Sequence, residues 1–196
     1  MTPFPFFRIG IRAGLAALII MALIPTGTQA FDFPSLFKRK SLAAQEIAID
    51  AAEAARLISA YRKAHGLGPV RLDSRLTRIA ADHAVKMASS DKVAHVLRGE
   101  GSFARRLRNG GFDAAVAAEN LGGGYHSIAE AMQGWRTSRE HNQNLLKPSV
   151  TLIGIASAKA QGSKYKTYWS LILAEPYVPP PQPSGPSTGP PVLMIR

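Results

Sequence analysis

Two imidazoles and one carboxylate stand in three separated polar segments of this chain. His95 lies in a stretch without helical periodicity, Glu119 in the run Ala118-Glu119-Asn120-Leu121, and His141 in the segment WRTSREHNQN from Trp135 to Asn144. A Gly-rich link, Gly122-Gly123-Gly124, lies between the last two and lets polar segments meet. Three chemistries suit such a trio. His95 and His141 can ligate a divalent cation such as zinc, whose bonds to imidazole nitrogen are about 2.0–2.1 Å. The same groups can form a general acid–base set in which Glu119 orients one ring. They can also be an inert hydrogen-bonded hub. Residue types and spacing leave all three open.

The elements that must position these residues are legible from periodicity. Residues 43–65 read as a helix, with Ala54, Leu57, Ile58 and Tyr61 on one stripe and His65-Gly66 as its end. Ser74 to Ser90 reads as a second helix, capped by Asp73 or Ser74. Its stripe is Leu76, Ile79, Ala80, His83 and Met87, so His83 is expected as a hydrogen-bonded boundary histidine rather than a ligand. Residues 91–101 form the loop that carries His95, and Ser102 caps a short helix from Phe103 to Arg108. Ser127 with Glu130 makes a capping box ahead of the stripe Ile128, Ala131, Met132 and Trp135. Thr151–Ala160 and Tyr165–Leu173 form a hairpin around residues 161–164, with Trp169 and Trp135 expected in the core. Helices first and a closing hairpin last give an α+β domain.

With their flanks, the three segments resemble the CAP superfamily of cysteine-rich secretory, antigen 5 and pathogenesis-related 1 proteins, in its cysteine-free bacterial branch. There a histidine, a G-E-N-[IL] box and a W-x-x-S-x-x-H-x-x-N box surround one cleft. The resemblance covers about residues 54–175. It implies a three-layer α–β–α sandwich with a small antiparallel sheet, the remaining strand coming from residues 112–123. It also implies that His95, Glu119 and His141 match three members of a tetrad of two histidines and two acids. Ser138 stands where eukaryotic relatives carry the second acid, so the tetrad is incomplete. Glu140 departs from the usual bacterial Ser-Pro-Gly-His. It sits beside His141, and adjacent side chains on a helix diverge by ~100°, which makes sharing a ligand awkward. Asn120 and Asn144 are expected to lock the loops through backbone hydrogen bonds.

Residues 1–30 read as an export signal. Arg8 and Arg12 precede the apolar run from Gly14 to Ile24, and Thr28-Gln29-Ala30 offers small residues for cleavage. The run falls short of the ~20 residues a span requires; the competing reading is an uncleaved anchor. Residues 31–42 read as a linker, 43–175 as the domain, and 176–196 as a proline-rich tail holding eight of the fourteen prolines. No cysteine is present, which excludes disulfide staples and a lipid-anchored cysteine. The net charge is +11, and +9 once Arg8 and Arg12 leave with residues 1–30. In an exported chain that charge points to anionic envelope components rather than nucleic acid, or simply to a solvated surface. No Walker A sequence, complete dinucleotide fingerprint, HExxH or G-x-S-x-G element occurs.

These readings converge on a secreted or periplasmic bacterial monomer with no membrane span after cleavage. Its cleft, formed by His95, Glu119, Asn120, Ser138 and His141, is expected to bind a lipid-like or cell-envelope ligand without catalysis. The alternatives are a metal-dependent hydrolase, with His95 and His141 as ligands and Glu119 as base, and a non-catalytic envelope interaction module. No cofactor is required, and zinc or another divalent metal is expected to bind weakly at best, because Ser138 withholds a ligand.

Overall fold

A computed structural model describes residues 43–181; the expected signal segment, the linker and the tail beyond residue 181 lie outside the described residues. The chain opens with a short strand, β1 (Ala44–Ile47), and turns at Asp50 into α1 (Ala51–Ala64). This corrects the expectation of one helix over 43–65. Asp50 accepts a hydrogen bond from the Glu53 amide at 2.8 Å and starts the helix there. The preceding residues, Ala43-Ala44-Gln45-Glu46, favour helix by themselves, but a short helical segment is marginal without packing and pairing with an open strand outweighs it: Ala44 lies opposite Ala160 and Ile47 opposite Ser157, antiparallel on β4 (Leu152–Ala160).

After α1 the chain makes a two-residue strand, β2 (Arg71–Leu72), which pairs in parallel with the start of β4 and was not legible from periodicity. Asp73 then caps α2 (Ser74–Ser90) by accepting from the Arg75 and Leu76 amides, and Asp91 ends it in the left-handed region at φ 51°. Ser102 caps α3 (Phe103–Asn109), and β3 (Ala114–Gly123) follows. Next come α4 (Ile128–Thr137) and α5 (Arg139–Leu145), which share Ser138 as the end of one and the start of the other. The hairpin of β4 and β5 (Thr167–Pro176) closes the fold. The capping box is present with a shift: Ser127 Oγ accepts from the Glu130 amide, while the Glu130 carboxylate reaches back to the amide of His126, one residue earlier than expected.

The sheet runs β1-β4-β5-β3, with β3 as an edge strand. Both faces are covered. On one, Ile153, Ile155, Trp169, Leu171 and Leu173 pack against Ile58 of α1, Trp135 of α4 and Leu145 of α5. On the other, Ile172 and Ala174 meet Leu76 and Ile79 of α2 and Leu107 of α3, and Tyr168 meets Met87. This is an α–β–α sandwich. Gly154 marks its tightest point, because a Cβ there would strike the Leu76 backbone. The Tyr177 amide still bonds the Asp113 carbonyl at 2.9 Å, so the folded edge runs slightly past the boundary expected at residue 175.

Candidate functional site

Glu119 and Asn120 are consecutive residues of β3, so their side chains point to opposite faces of the sheet. Glu119 faces α2 and α3. Its carboxylate is almost fully buried and is gripped by the Arg106 guanidinium, with Nη1 donating to Oε1 and Nη2 to Oε2, both at 2.9 Å. This bidentate fork is the strongest geometry available to an arginine–carboxylate pair. Oε2 also meets His95 Nδ1 at 2.9 Å. Arg106 Nη2 further donates to the His95 carbonyl at 3.2 Å, so one guanidinium holds both the carboxylate and the loop that brings the imidazole.

Behind Glu119 lies His83, fully buried, with Nδ1 2.7 Å from Glu100 Oε1 and Nε2 3.9 Å from Glu119 Oε2. The expectation of a hydrogen-bonded His83 holds, but the residue lies inside the core and adjoins the site rather than sitting at a boundary. Asn120 faces the other way. Its amide donates to the His141 carbonyl at 3.0 Å, and Asn144 donates to Asn120 Oδ1 at 2.9 Å. The two asparagines thus fasten α5 to β3, a helix to a strand, where a lock between loops was expected. Trp135 Nε1 adds a bond to the Leu121 carbonyl at 3.0 Å and fixes α4 against the same strand.

His95 and Glu119 are therefore directly joined, and His141 is half-buried on α5, tied to β3 through its backbone. Ser138 makes no capping bond and serves as the hinge residue between α4 and α5. Glu140 is exposed and contributes charge rather than a ligand: it raises the His141 pKa slightly against larger opposing effects.

The electrostatics divide the two imidazoles. The bond to Glu119 raises the His95 pKa, outweighing the partial burial that lowers it. Burial lowers the His141 pKa, and the positive charge of His95 lowers it further. For Glu119, burial pushes the pKa up, but the bonds from His95 and Arg106 more than offset this and hold the carboxyl below its ordinary range. His95 keeps 59% of its side chain exposed, so its outer edge is free for a ligand.

Zinc ligation by His95 and His141 with Glu119 nearby would need a free carboxylate oxygen. Both oxygens of Glu119 are already engaged, and among the described residues no group of three or more His, Asp or Glu side chains is placed to hold a metal ion. The donor set does not fit a tetrahedral zinc site.

Sequence reasoning missed Arg106 and Glu100. Arg106 sits with Phe103 and Leu107 on the inward stripe of α3, so its burial is readable from that spacing. Glu100, in an irregular loop, carries no such signal.

This fold has relatives. The model of the CAP family, described as the cysteine-rich secretory protein family, matches residues 55–173, more than half of the chain. The chain belongs to the CAP family. Two Bacillus subtilis proteins align with it over 99 residues, half of this chain: the uncharacterized membrane protein YlbC at 30% identity and the uncharacterized protein YkwD at 28%. The aligned stretch spans only 29% and 38% of those proteins, so each is much longer than this CAP domain. Among solved structures, an outer surface protein of Borrelia burgdorferi superimposes with a TM-score of 0.60 at 18% identity, over 69% of this chain and 100% of its own. An extracellular SCP-domain protein of Bacillus anthracis gives 0.57 at 22% identity, over 63% of this chain and 39% of its own. At such identities the likeness concerns the fold alone.

Proposed function

We propose that this CAP domain works outside the cytoplasm as a binding protein, taking the polar or anionic head of a lipid-like or cell-envelope ligand at the rim formed by His95 and His141. The observation that carries this reading is the engagement of Glu119. A carboxylate held by an arginine fork and an imidazole is a poor base and an unavailable ligand, yet it favours the cationic form of His95, whose outer edge is exposed. An imidazole biased toward its cationic form suits recognition of an anionic oxygen. The Arg8/Arg12 export signal supports an extracytoplasmic site, as do the extracellular and outer-surface descriptions of the two structural neighbours. Among the described residues no helix is long and apolar enough to cross a membrane.

The test is cosedimentation with phosphatidylglycerol vesicles, against phosphatidylcholine, for wild type, His95→Ala and the surface control Arg139→Ala. Binding to the anionic vesicles that falls in His95→Ala but not in the control, and that weakens as pH rises through the upper histidine range, supports the reading. Equal binding by all three proteins overturns it. The opposed shifts of His95 and His141 favour a second reading, a metal-independent acid–base pair. Ester or peptide hydrolysis with a bell-shaped pH profile, lost in both His95→Ala and His141→Ala, would establish that instead.

A further inference from the structure

Among the described residues, the two non-glycine residues at positive φ are Asp91, at 51°, and Lys166, at 62°. A side chain disfavours that backbone, and where it persists the surroundings hold it. Both residues belong to a pair of segments that touch. Asp91 opens the loop that carries His95, and its carboxylate accepts from the Lys164 amide at 2.9 Å and from the Tyr168 hydroxyl. Lys166 closes the turn between β4 and β5. Its amide donates to Ser163 Oγ at 3.1 Å, and its carbonyl accepts from the Ala160 amide at 3.0 Å. Gly123 of β3 lies against both segments: a Cβ there would come within 3.0 Å of Val93 Cγ2 and 2.7 Å of the Tyr165 ring. Lys164 Nζ stands 4.9 Å from the centre of that ring.

The two segments share one charge sign and an apolar component. Residues 92–98 and 159–166 together hold five Lys and Arg and no Asp or Glu. The acids at the two ends of the loop are engaged, Asp91 with the turn and Glu100 with His83. Val93 and Val96 are 36% and 61% exposed. The loop that presents them is braced, since Leu97 is buried and the His95 carbonyl accepts from Arg106 Nη2 at 3.2 Å. We propose that this surface docks the domain on an anionic phospholipid bilayer. Lys92, Arg98, Lys164 and Lys166 meet the phosphates, and Val93 and Val96 enter the boundary between headgroups and acyl chains. A soluble polyanion would use the cations and leave the valines in water, whereas an anionic bilayer uses both. A braced loop also loses little conformational freedom on binding. The proposal rests on the function proposed above in taking lipid as the partner, but none of its contacts is His95 or His141. Docking in this way would set the His95 rim against the headgroup layer.

Cosedimentation of the full chain with phosphatidylglycerol vesicles tests this, phosphatidylcholine vesicles giving the blank for residues 1–30. Lys166→Gly is the most telling variant. Glycine accepts φ 62° without strain and keeps both backbone bonds of the turn. The thermal midpoint should therefore hold or rise, while affinity for the anionic vesicles falls about fivefold, the worth of one lysine at such a surface. Val96→Ser, at an exposed position, should weaken binding by a similar factor, about fivefold, with the fold intact. Val96→Trp should emit at shorter wavelength on phosphatidylglycerol than on phosphatidylcholine, and lipids brominated in the upper acyl chain should quench it. His95→Ala separates this proposal from the headgroup reading. Binding lost in His95→Ala, with no emission shift in Val96→Trp, would keep the headgroup reading and overturn the docking surface. Binding kept in His95→Ala, with the emission shift present, would keep the docking surface and overturn the headgroup reading. Full-strength binding by Lys166→Gly or Val96→Ser would overturn the proposal as well. So would binding to soluble polyphosphate that matches the vesicles and ignores Val96→Ser, the mark of a polyanion site.

Discussion

Two arginines are buried among the described residues, and they do opposite things. Arg62, on α1, is 1% exposed and donates only to backbone carbonyls: Gly68 at 2.9 Å, Leu145 at 2.8 Å, Lys147 at 2.9 Å and Val150 at 2.9 Å. It gathers the end of α5 and the approach to β4 into one knot, and burial without a paired carboxylate lowers its pKa. Arg106, on α3, is 7% exposed and spends its fork on a carboxylate that also holds an imidazole. One cation fixes geometry through neutral partners. The other sits in a network of titratable groups, where a change of protonation reaches the surface through His95. The scaffold and the site are thus built from the same residue type with different partners.

Removing the fork should show the difference most strongly. Arg106→Met leaves Glu119 buried with one imidazole in place of three bonds, and should cost about 3–5 kcal/mol in urea unfolding. Adding Glu119→Gln should recover a large part of that, because the uncompensated charge goes with it. A cost below ~1 kcal/mol would mean that Glu119 finds other partners and that the network is loose.

Arg62→Met comes next. It strands the Leu145 and Val150 carbonyls in the interior, and a loss of about 2–4 kcal/mol is expected. No carboxylate substitution should rescue it, and its cost should stay flat with pH across the acidic range. A pH-dependent cost would place an unrecognised acid beside it.

The third effect is a matter of sign. Glu119 has its pKa depressed on folding, so its contribution is present above the ordinary carboxylate pKa and is lost as pH falls through the lower folded value. His95 has its pKa raised, so its contribution is complete below the ordinary histidine pKa and is lost as pH rises through the folded value. Thermal midpoints of wild type and His95→Ala should therefore differ on the acidic side of roughly pH 6.5 and converge on the alkaline side. The gap should be small, since most of the ring is exposed and solvent screens the pair. A gap that widens with pH would reverse the assignment.

Smallest of all, truncation after Tyr177 should leave the midpoint nearly unchanged. It keeps the Tyr177 amide bond to Asp113 and removes a segment whose prolines lack amide donors. A fall of many degrees would show that the tail packs on the domain.

The comparison also explains what could be read in advance. Stripes and caps placed α2, α3, α4 and the hairpin, because helix period, Asp73, Ser102 and Ser127 all act locally. The first segment misled for the converse reason: Ala44–Ile47 is a strand only because β4 lies beside it, a fact held far away in the sequence. The site followed the same rule. His95, Glu119 and His141 were visible as motif residues, and Asn120 and Asn144 as polar residues of the same motifs, though not the β3–α5 bonds they make. Arg106 and Glu100 act through partners on other elements, Arg106 on Glu119 of β3 and Glu100 on His83 of α2, and adjacency in sequence says nothing of such bonds.

Every strand pairing in the sheet involves β4 or β5. β1 must wait for a partner more than a hundred residues downstream, and β3 for one about fifty residues on. A chain emerging from its N-terminus, from a ribosome or through a pore, can therefore form no sheet until its last hairpin appears. Helices α1 and α2 can flicker locally before then, but the surface they need is made at the end. Folding should be late, abrupt and slow relative to a helical bundle of this size, because loop closure must precede any non-local contact. Until that hairpin is released, the polypeptide stays extended and easy to thread.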